Sequence, residues 1–302
     1  MSLSIKEAAK RIRAGNLVAF PTETVYGLGA NALDAGAVRK IYEMKGRPTT
    51  SPLIVHVSSI EMAQGIVAEW PPLAENLARR WWPGPLTLVL PKRVEVPDIV
   101  TAGLPTVGVR MPSHPLALAL IEEAGVPIAA PSANRFTGLS PTTAEHVRAA
   151  FGDAVDVLDG GPSDVGIEST VVAIQDGTLK LLRPGMVSLG DLEREIAAAG
   201  AAHPAPGMSE RHYSPRTPLL LIAGPEALPD GCGAYVWRLK TGGVQRNVRM
   251  PEDPQAYAAR LYGVLHELDA EHRPWIAVEL PPDDPDWEAI HDRLRRAAGS
   301  ER

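Results

Sequence analysis

One cysteine, Cys232, stands among 302 residues. A lone thiol excludes a disulfide framework and every cysteine-based zinc site, and it suits a reducing compartment. Aromatic side chains make up only 5% of the chain, so the core must be assembled from Ala, Val, Leu and Ile. No run reaches the roughly 18 apolar residues of a membrane-spanning helix. The opening "MSLSIKEAAKRIRAG" has the pattern of an amphipathic helix and lacks the continuous apolar stretch of a signal peptide. These readings predict a cytoplasmic protein without a membrane segment. Positive charge is not in excess either. Lys and Arg number 30 against 36 Asp and Glu, so contact with nucleic acid would rest on a local patch. The eight histidines lack metal-ligand spacing. There is no G-x-S-x-G elbow, no G-x-x-x-x-G-K-[ST] loop and no H-E-x-x-H pair.

What is abundant is proline, at 29 residues, and it punctuates an alternation of helix and strand patterns. Ser4 and Glu7 have capping-box spacing, Ile5, Ala8, Ala9 and Ile12 share a face, and Gly15 closes the helix. Strands are predicted at 17–20, 53–57, 86–90, 106–110, 127–130, 155–159, 169–174 and 179–182. Helices are predicted from Asp34 to Met44, from Pro115 to Gly125, from Thr142 with Glu145 as its capping partner, and from Asp191 to Ala199. Irregular alternation of this kind predicts an α/β domain on a mixed sheet.

Composition shifts near residue 200. Residues 199–218, "AGAAHPAPGMSERHYSPRTP", have no apolar period and read as an ordered linker. Beyond them "LLLIAG", "AYVWR", a helix from Asp253 to about Ala270, "WIAVEL" and a helix near 286–297 make a second α/β pattern of about 85 residues, enough for one small domain. The predicted division is 1–200 for the first domain, 201–217 for a linker or lid and 218–302 for the small domain.

The chemistry-bearing residues are dispersed. "PTETVYGLG" (21–29) follows a strand, and its Thr22, Thr24, Gly27 and Gly29 suit either backbone contact with a ligand or a tight turn that needs glycine. Ser132, Asn134 and Ser140 flank a loop running into a helix near Thr142, which suits an anion or plain capping. Arg110 and Arg183 end apolar strands, where the planar guanidinium suits a carboxylate, a phosphate or an internal salt bridge. Lys45 and Arg47 lie on a Gly/Pro loop ahead of His56; the cations suit a polyphosphate or solvent, and the histidine a small ligand or the core. Such a set acts by positioning and electrostatics, as nucleotidyl transfer requires.

Taken in order, "PTETVYGLG", "KGRP…PLIVH", "WWPGPLTLVL", "TVGVRMPSHP", "PIAAPSAN", "SPTTAEHV" and "GIESTVV…LLRPG" resemble the YrdC-like domain. "PGMSERHYSP" and "PEDPQAYAARLYGVLHELD" resemble the longer, two-domain threonylcarbamoyl-AMP synthases of tRNA modification. The resemblance covers nearly the whole chain. It implies a twisted mixed sheet with a concave active site and a small Rossmann-like carboxy-terminal domain, although no dinucleotide fingerprint is present there. It implies a nucleotidyltransferase that converts L-threonine, bicarbonate or CO2 and ATP with Mg2+ into threonylcarbamoyl-AMP and pyrophosphate. Downstream tRNA threonylcarbamoyl-transfer proteins and a weak tRNA contact complete the implied partners.

The resemblance also implies residue roles. Lys45 and Arg47 become catalytic cations. Thr24, His56, Arg110, Ala130 and Thr170 form the threonine pocket. Arg47, Ser51, Thr106, Ser132, Ser140, Arg183 and Tyr213 bind ATP, with Asn134 and His212 as further candidates. The linker carrying His212 and Tyr213 becomes the candidate lid. Two other classes stay open: a non-catalytic RNA-binding module, which the acidic balance disfavours, and a carbamoyltransferase-type relative of hydrogenase maturation, which would carry acylphosphatase and zinc-finger segments not seen here.

Overall fold

The computed structural model describes residues 3–175, 178–188, 192 and 213–299. From the amino end the chain forms α1 (Ile5–Arg13), β1 (Val18–Phe20), β2 (Gly27–Asn31), α2 (Ala35–Lys45), β3 (Ile54–His56), α3 (Ile60–Gln64), α4 (Pro72–Trp81) and β4 (Leu86–Pro91). Then follow α5 (Asp98–Thr101), β5 (Thr106–Arg110), α6 (Pro115–Ala124), β6 (Ile128–Ala129), α7 (Ala144–Phe151), β7 (Asp156–Val157), β8 (Thr170–Gln175) and β9 (Thr178–Arg183). These nine strands make one mixed sheet in the order β7-β1-β2-β6-β3-β5-β4-β8-β9.

Local signals explain the ends of these elements. The Ser4–Glu7 capping box opens α1. It closes with Gly15 N–H on Ile12 O and Asn16 N–H on Arg11 O, and Gly15 has φ +74°, a paired bond pattern that needs a left-handed residue. Asp34 caps α2 by accepting from Gly36 and Ala37 N–H. The cap of α7 is Thr143, one residue later than its sequence spacing indicated, because Thr143 Oγ1 takes the His146 N–H while Thr142 bonds the His146 ring.

Strand alternation sorts the core into layers. Val18, Phe20 and Ile128 pack with Ala8, Ala9 and Ile12 of α1 and Leu120 and Ile121 of α6. Ala19, Leu28, Ala30 and Ala129 point the other way, among Val38 and Ile41 of α2. This layering explains "GLG". Segment 27–31 is a strand paired antiparallel with β1, and neither Gly27 nor Gly29 has a positive φ. A Cβ on Gly29 would lie 2.8 Å from the Phe20 ring and 2.9 Å from Ile128. Lack of room, not turn geometry, requires glycine there.

After the linker come β10 (Leu219–Ile222), β11 (Ala234–Trp237), β12 (Arg246–Arg249), α8 (Pro254–Ala270), β13 (Ile276–Glu279) and α9 (Glu288–Ala298). The four strands form an all-parallel sheet in the order β10-β13-β11-β12. Its core around Leu261, Leu265, Ile276 and Ile290 is continuous with Val25, Leu139 and Ile167 of the first domain. The predicted helix from Asp191 to Ala199 lies outside the described residues apart from Leu192. Residues 201–212 of the predicted linker lie outside them too.

Candidate active site

A cavity of about 550 Å³, its open mouth included, lies where the β1–β2 connection meets the ends of β3, β5 and β9 and the start of β8. β3 and β5 run parallel with His56 in register with Arg110, so their carboxyl ends bring these two side chains together. Ala130 N–H bonds Ile54 O, which sets the chain leaving β6 against the same place. Thr24, His56, Arg110 and Ala130 all line the cavity, as do Arg47, Ser132, Arg183 and Tyr213.

Around Arg110 the polar groups are tightly committed. Its Nη1 donates to Thr24 Oγ1 at 2.9 Å and its Nε to Gly84 O at 3.3 Å. Its Nη2 lies 2.7 Å from Glu23 Oε1 without the alignment of a hydrogen bond, so that contact is an ion pair. Glu23 is held from the other side by the Ser113 N–H. The internal salt bridge and a place in the cavity therefore coexist at Arg110. Two of its five N–H groups are hydrogen-bonded, on Nε and Nη1, and Nη2 is committed to the ion pair. Thr22 Oγ1 caps the Thr24 and Val25 N–H groups and donates to Val25 O, which fixes the hydroxyl-rich turn. His56 is buried and its Nδ1 has no partner. Burial and the Arg110 charge push its pKa down to about 3, so the imidazole is neutral.

The second group carries positive charge. Arg47 leaves α2 just beyond Gly46, is anchored by Ser51 O and Pro52 O, and lies over the Phe136 ring. Burial lowers its pKa, and Arg183 adds to that. Arg183 Nε and Nη2 both donate to Ser169 O, at 3.0 and 2.8 Å, and Nη2 also donates to Ser169 Oγ. Ser132 Oγ donates to Asn134 Oδ1 at 2.6 Å. Tyr213 has φ +60° and is buried against the cavity.

Several predicted residues lie beside this space and do not line it. Lys45 is buried, and its Nζ donates to Ser132 O at 2.6 Å, Asn134 O at 2.5 Å and Asn134 Oδ1 at 3.3 Å. Burial and the nearby Arg47 hold its pKa well below the usual lysine value. Its acceptors make it a brace for the Ser132–Asn134 loop, and Asn134 is part of that brace. Ser140 Oγ is spent on Glu168 Oε1 at 2.5 Å. Thr170 Oγ1 is spent on Val187 O and N–H. Ser51 contributes its carbonyl to Arg47 and Tyr42. Thr106 opens β5 opposite Pro91, four residues from Arg110 at the other end of the strand. His212 lies outside the described residues.

The cavity also uses Glu168 and Ser169, which sequence reasoning did not single out, and Glu23 stands beside it on Arg110. Their signal was present: each is a polar residue inside a quoted motif, "PTETVYGLG" or "GIESTVV", where the surrounding side chains are small or apolar. Glu168 is fully engaged, by Ser140, Tyr262 and Arg293. Burial would raise its pKa, but the Arg293 and Arg183 charges prevail and hold it below the usual carboxylate value. Among the described residues no cluster of three His, Cys, Asp or Glu side chains can hold a metal ion.

The geometry agrees with the sequence comparisons. Residues 10–185 match the family model Sua5/YciO/YrdC, described as "Telomere recombination". Residues 181–299 match the model "Threonylcarbamoyl-AMP synthase, C-terminal domain". The threonylcarbamoyl-AMP synthase of Bacillus subtilis is 41% identical over an alignment 327 positions long, covering 98% of this chain and 93% of that protein. The Pyrococcus abyssi enzyme of the same name is 50% identical over 233, covering 73% and 68%. The crystal structure of P. abyssi Sua5 complexed with L-threonine superposes with a TM-score of 0.89 at 39% identity, covering 97% of this chain and 94% of that one. The chain belongs to the Sua5/YciO/YrdC family, in the form whose carboxy-terminal part is the threonylcarbamoyl-AMP synthase C-terminal domain.

Proposed function

We propose that this chain is a threonylcarbamoyl-AMP synthase, a nucleotidyltransferase acting on L-threonine, bicarbonate or CO2 and ATP. One observation carries the reading: Arg110, His56 and Thr24 share a single cavity with Arg47, Arg183 and Ser132. The first three suit a small amino acid, and the second three suit the phosphates of a nucleotide.

The Arg110 guanidinium takes the threonine carboxylate in a charge-assisted contact. The neutral His56 offers its unpaired Nδ1 to a polar atom of the amino acid without adding a charge that would repel the ammonium. Once its nitrogen has lost a proton, threonine attacks CO2, or the carbon of bicarbonate with loss of water, to form a carbamate. A carbamate oxygen then displaces pyrophosphate from the α-phosphorus in line. Arg47 and Arg183 face the negative charge that gathers on the transferring and leaving groups. No protein nucleophile is required, and the reaction gains from alignment of two bound substrates.

Glu168 on the cavity wall and Glu23 beside Arg110 are both neutralised by arginines. A protein-built cage for Mg2+ does not fit this donor set. Magnesium would enter with the nucleotide phosphates as part of the substrate, and no step here depends on its position. The product serves N6-threonylcarbamoylation of tRNA through downstream transfer proteins, and the mixed anhydride is consumed in the cytoplasm. Because that anhydride is hydrolysed by water, keeping water out of the cavity would protect it. A non-catalytic RNA module has less support, since the cavity cations are buried rather than presented on a surface.

Pyrophosphate release from ATP, with threonine and bicarbonate each omitted in turn, tests the reading. Release should require both. Release that persists without threonine would overturn it.

A further inference from the structure

Arg293 is the largest fully buried side chain described, yet it belongs to α9, outside the domain that bears the cavity. A buried guanidinium is costly unless its donors are matched, and here they are matched across the domain boundary. Nε donates to Glu168 Oε2 at 2.8 Å. Nη2 donates to Glu168 O at 3.3 Å and to Pro184 O at 3.0 Å. Its guanidinium carbon lies 5.3 Å from the centre of the Tyr213 ring. Within its own helix only Asp292 takes a bond, through Nη1.

These acceptors flank the nucleotide group. Ser169 and Arg183, the bonded pair that presents a cation to the cavity, are the immediate chain neighbours of Glu168 and Pro184. The two segments are already pressed together, since a Cβ on Gly185 would fall 2.4 Å from Thr170 N. The small domain is seated there without slack. Gly166 has φ +76°, and a Cβ on it would come within 2.6 Å of Ala259 Cα in α8.

We propose that Arg293 is a positioning residue for nucleotide binding: by clamping Glu168 and Pro184 it fixes the Ser169–Arg183 pair, and by packing on Tyr213 it sets one wall of the same cavity. The carboxy-terminal domain thereby supplies a part of the ATP site that touches no substrate. The inference rests on the synthase reading.

The test is calorimetric binding of α,β-methylene-ATP and, separately, of L-threonine to the full chain and to Arg293→Met, Arg293→Lys and Glu168→Gln. Pyrophosphate release by the parent judges the synthase reading; the ratio of variant to parent affinity judges this inference. Arg293→Met should weaken nucleotide binding on the order of tenfold or more, leaving threonine binding within twofold. Glu168→Gln should do the same, and the double variant should be no weaker than the worse single one, because both act along one chain of contacts. Arg293→Lys, which keeps the charge but not the fork, should fall between parent and Met. A folded Arg293→Met chain with nucleotide affinity within twofold of the parent would overturn the proposal, as would equal losses for threonine and nucleotide. If Met fails to fold, the Lys and Gln variants decide by the same criteria, and loss of folding in all three would make the clamp purely structural and overturn it.

Discussion

His56 and Arg110 end two neighbouring parallel strands in register, and burial, with the cation of one beside it, keeps the imidazole of the other neutral. Their roles separate on that basis: Arg110 supplies charge, and His56 supplies an uncharged polar edge. Arg110 is also committed to Glu23, so its removal has two consequences that must be distinguished. Breaking a buried pair costs about 3–5 kcal/mol of stability by stranding the remaining charge. Losing a charge-assisted contact to the threonine carboxylate costs about 1.5–3 kcal/mol of binding.

Arg110→Met alone should therefore lower the denaturation midpoint and raise the threonine KM by roughly 10- to 150-fold, the kinetic equivalent of that contact. Adding Glu23→Gln should restore most of the stability and none of the threonine affinity. ATP affinity, read by calorimetry, should stay near that of the parent. A double variant that regained threonine use would refute the assignment of Arg110 to the carboxylate.

Gly29→Ala should destabilise the chain by about 1–3 kcal/mol, the usual cost of forcing a methyl into a filled core. The new carbon meets Phe20 on one side and Ile128 on the other, and both belong to the layer shared with α1 and α6. Phe20→Leu in the Gly29→Ala background should recover part of the loss by making space. Urea midpoints of the two variants check this, and a Gly29→Ala protein as stable as the parent would remove the steric explanation.

Much of this arrangement was legible in local chemistry. Ser4, Glu7 and Asp34 announced their helices because capping is a contact between near neighbours in sequence. Strand β5 could be bounded correctly because "TVGVR" is β-branched and sits between prolines. The strand at 27–31 was hidden, since "GLGAN" has poor strand propensity and is glycine-rich for a reason that lies in Phe20 and Ile128. β12, "RNVR", was hidden likewise: it is polar and at the edge of its sheet. At the site, the family motifs located Thr24, His56, Arg110 and Arg183 within one cavity. They could not show that Lys45 spends its ammonium on carbonyl groups, or that Ser140 and Glu168 consume each other. Those pairings join residues 87 and 28 positions apart and depend on the packed geometry.

Acid should loosen the protein before its carboxylates titrate. His56 and His146 are held neutral, with pKa values pushed down to about 3 and about 4, mainly by burial. His146 also stacks at 3.8 Å on His266 of α8, whose pKa is likewise lowered by burial. In the unfolded chain each would take a proton near pH 6.5. Between that pH and the folded values the unfolded state binds more protons, so stability is full above 6.5 and falls as pH falls. From pH 7 to 5.5 the loss for His56 and His146 together is roughly 2–3 kcal/mol. Urea midpoints at the two pH values should show this slope, and His146→Phe should reduce it by about half. A flat profile would mean that these imidazoles are not buried neutral.

Lys45 and Arg47 are two residues apart, yet they should respond to mutation in different ways. Arg47 lines the cavity and Lys45 does not. If Arg47 meets the phosphates, Arg47→Met removes charge from the ligand itself, and nucleotide affinity should drop on the order of 100-fold, with a loss of stability limited to the Pro52 carbonyl that loses its donor. Lys45→Met instead leaves Asn134 O without its donor and takes one bond each from Ser132 O and Asn134 Oδ1, which keep the Asn134 N–H and Ser132 Oγ. Carbonyl groups that are buried and unpaired cost about 1–3 kcal/mol each when water cannot reach them. Stability should fall first, and nucleotide affinity only by the few-fold that a loosened Ser132 would cause. Salt separates the two further. Arg47 acts by attraction to a polyanion, so the nucleotide affinity of the parent and of Lys45→Met should fall steeply with added KCl, and that of Arg47→Met more gently. An affinity loss for Lys45→Met equal to that for Arg47→Met, with a matching loss of salt dependence, would place the Lys45 ammonium on the phosphates and not under the loop.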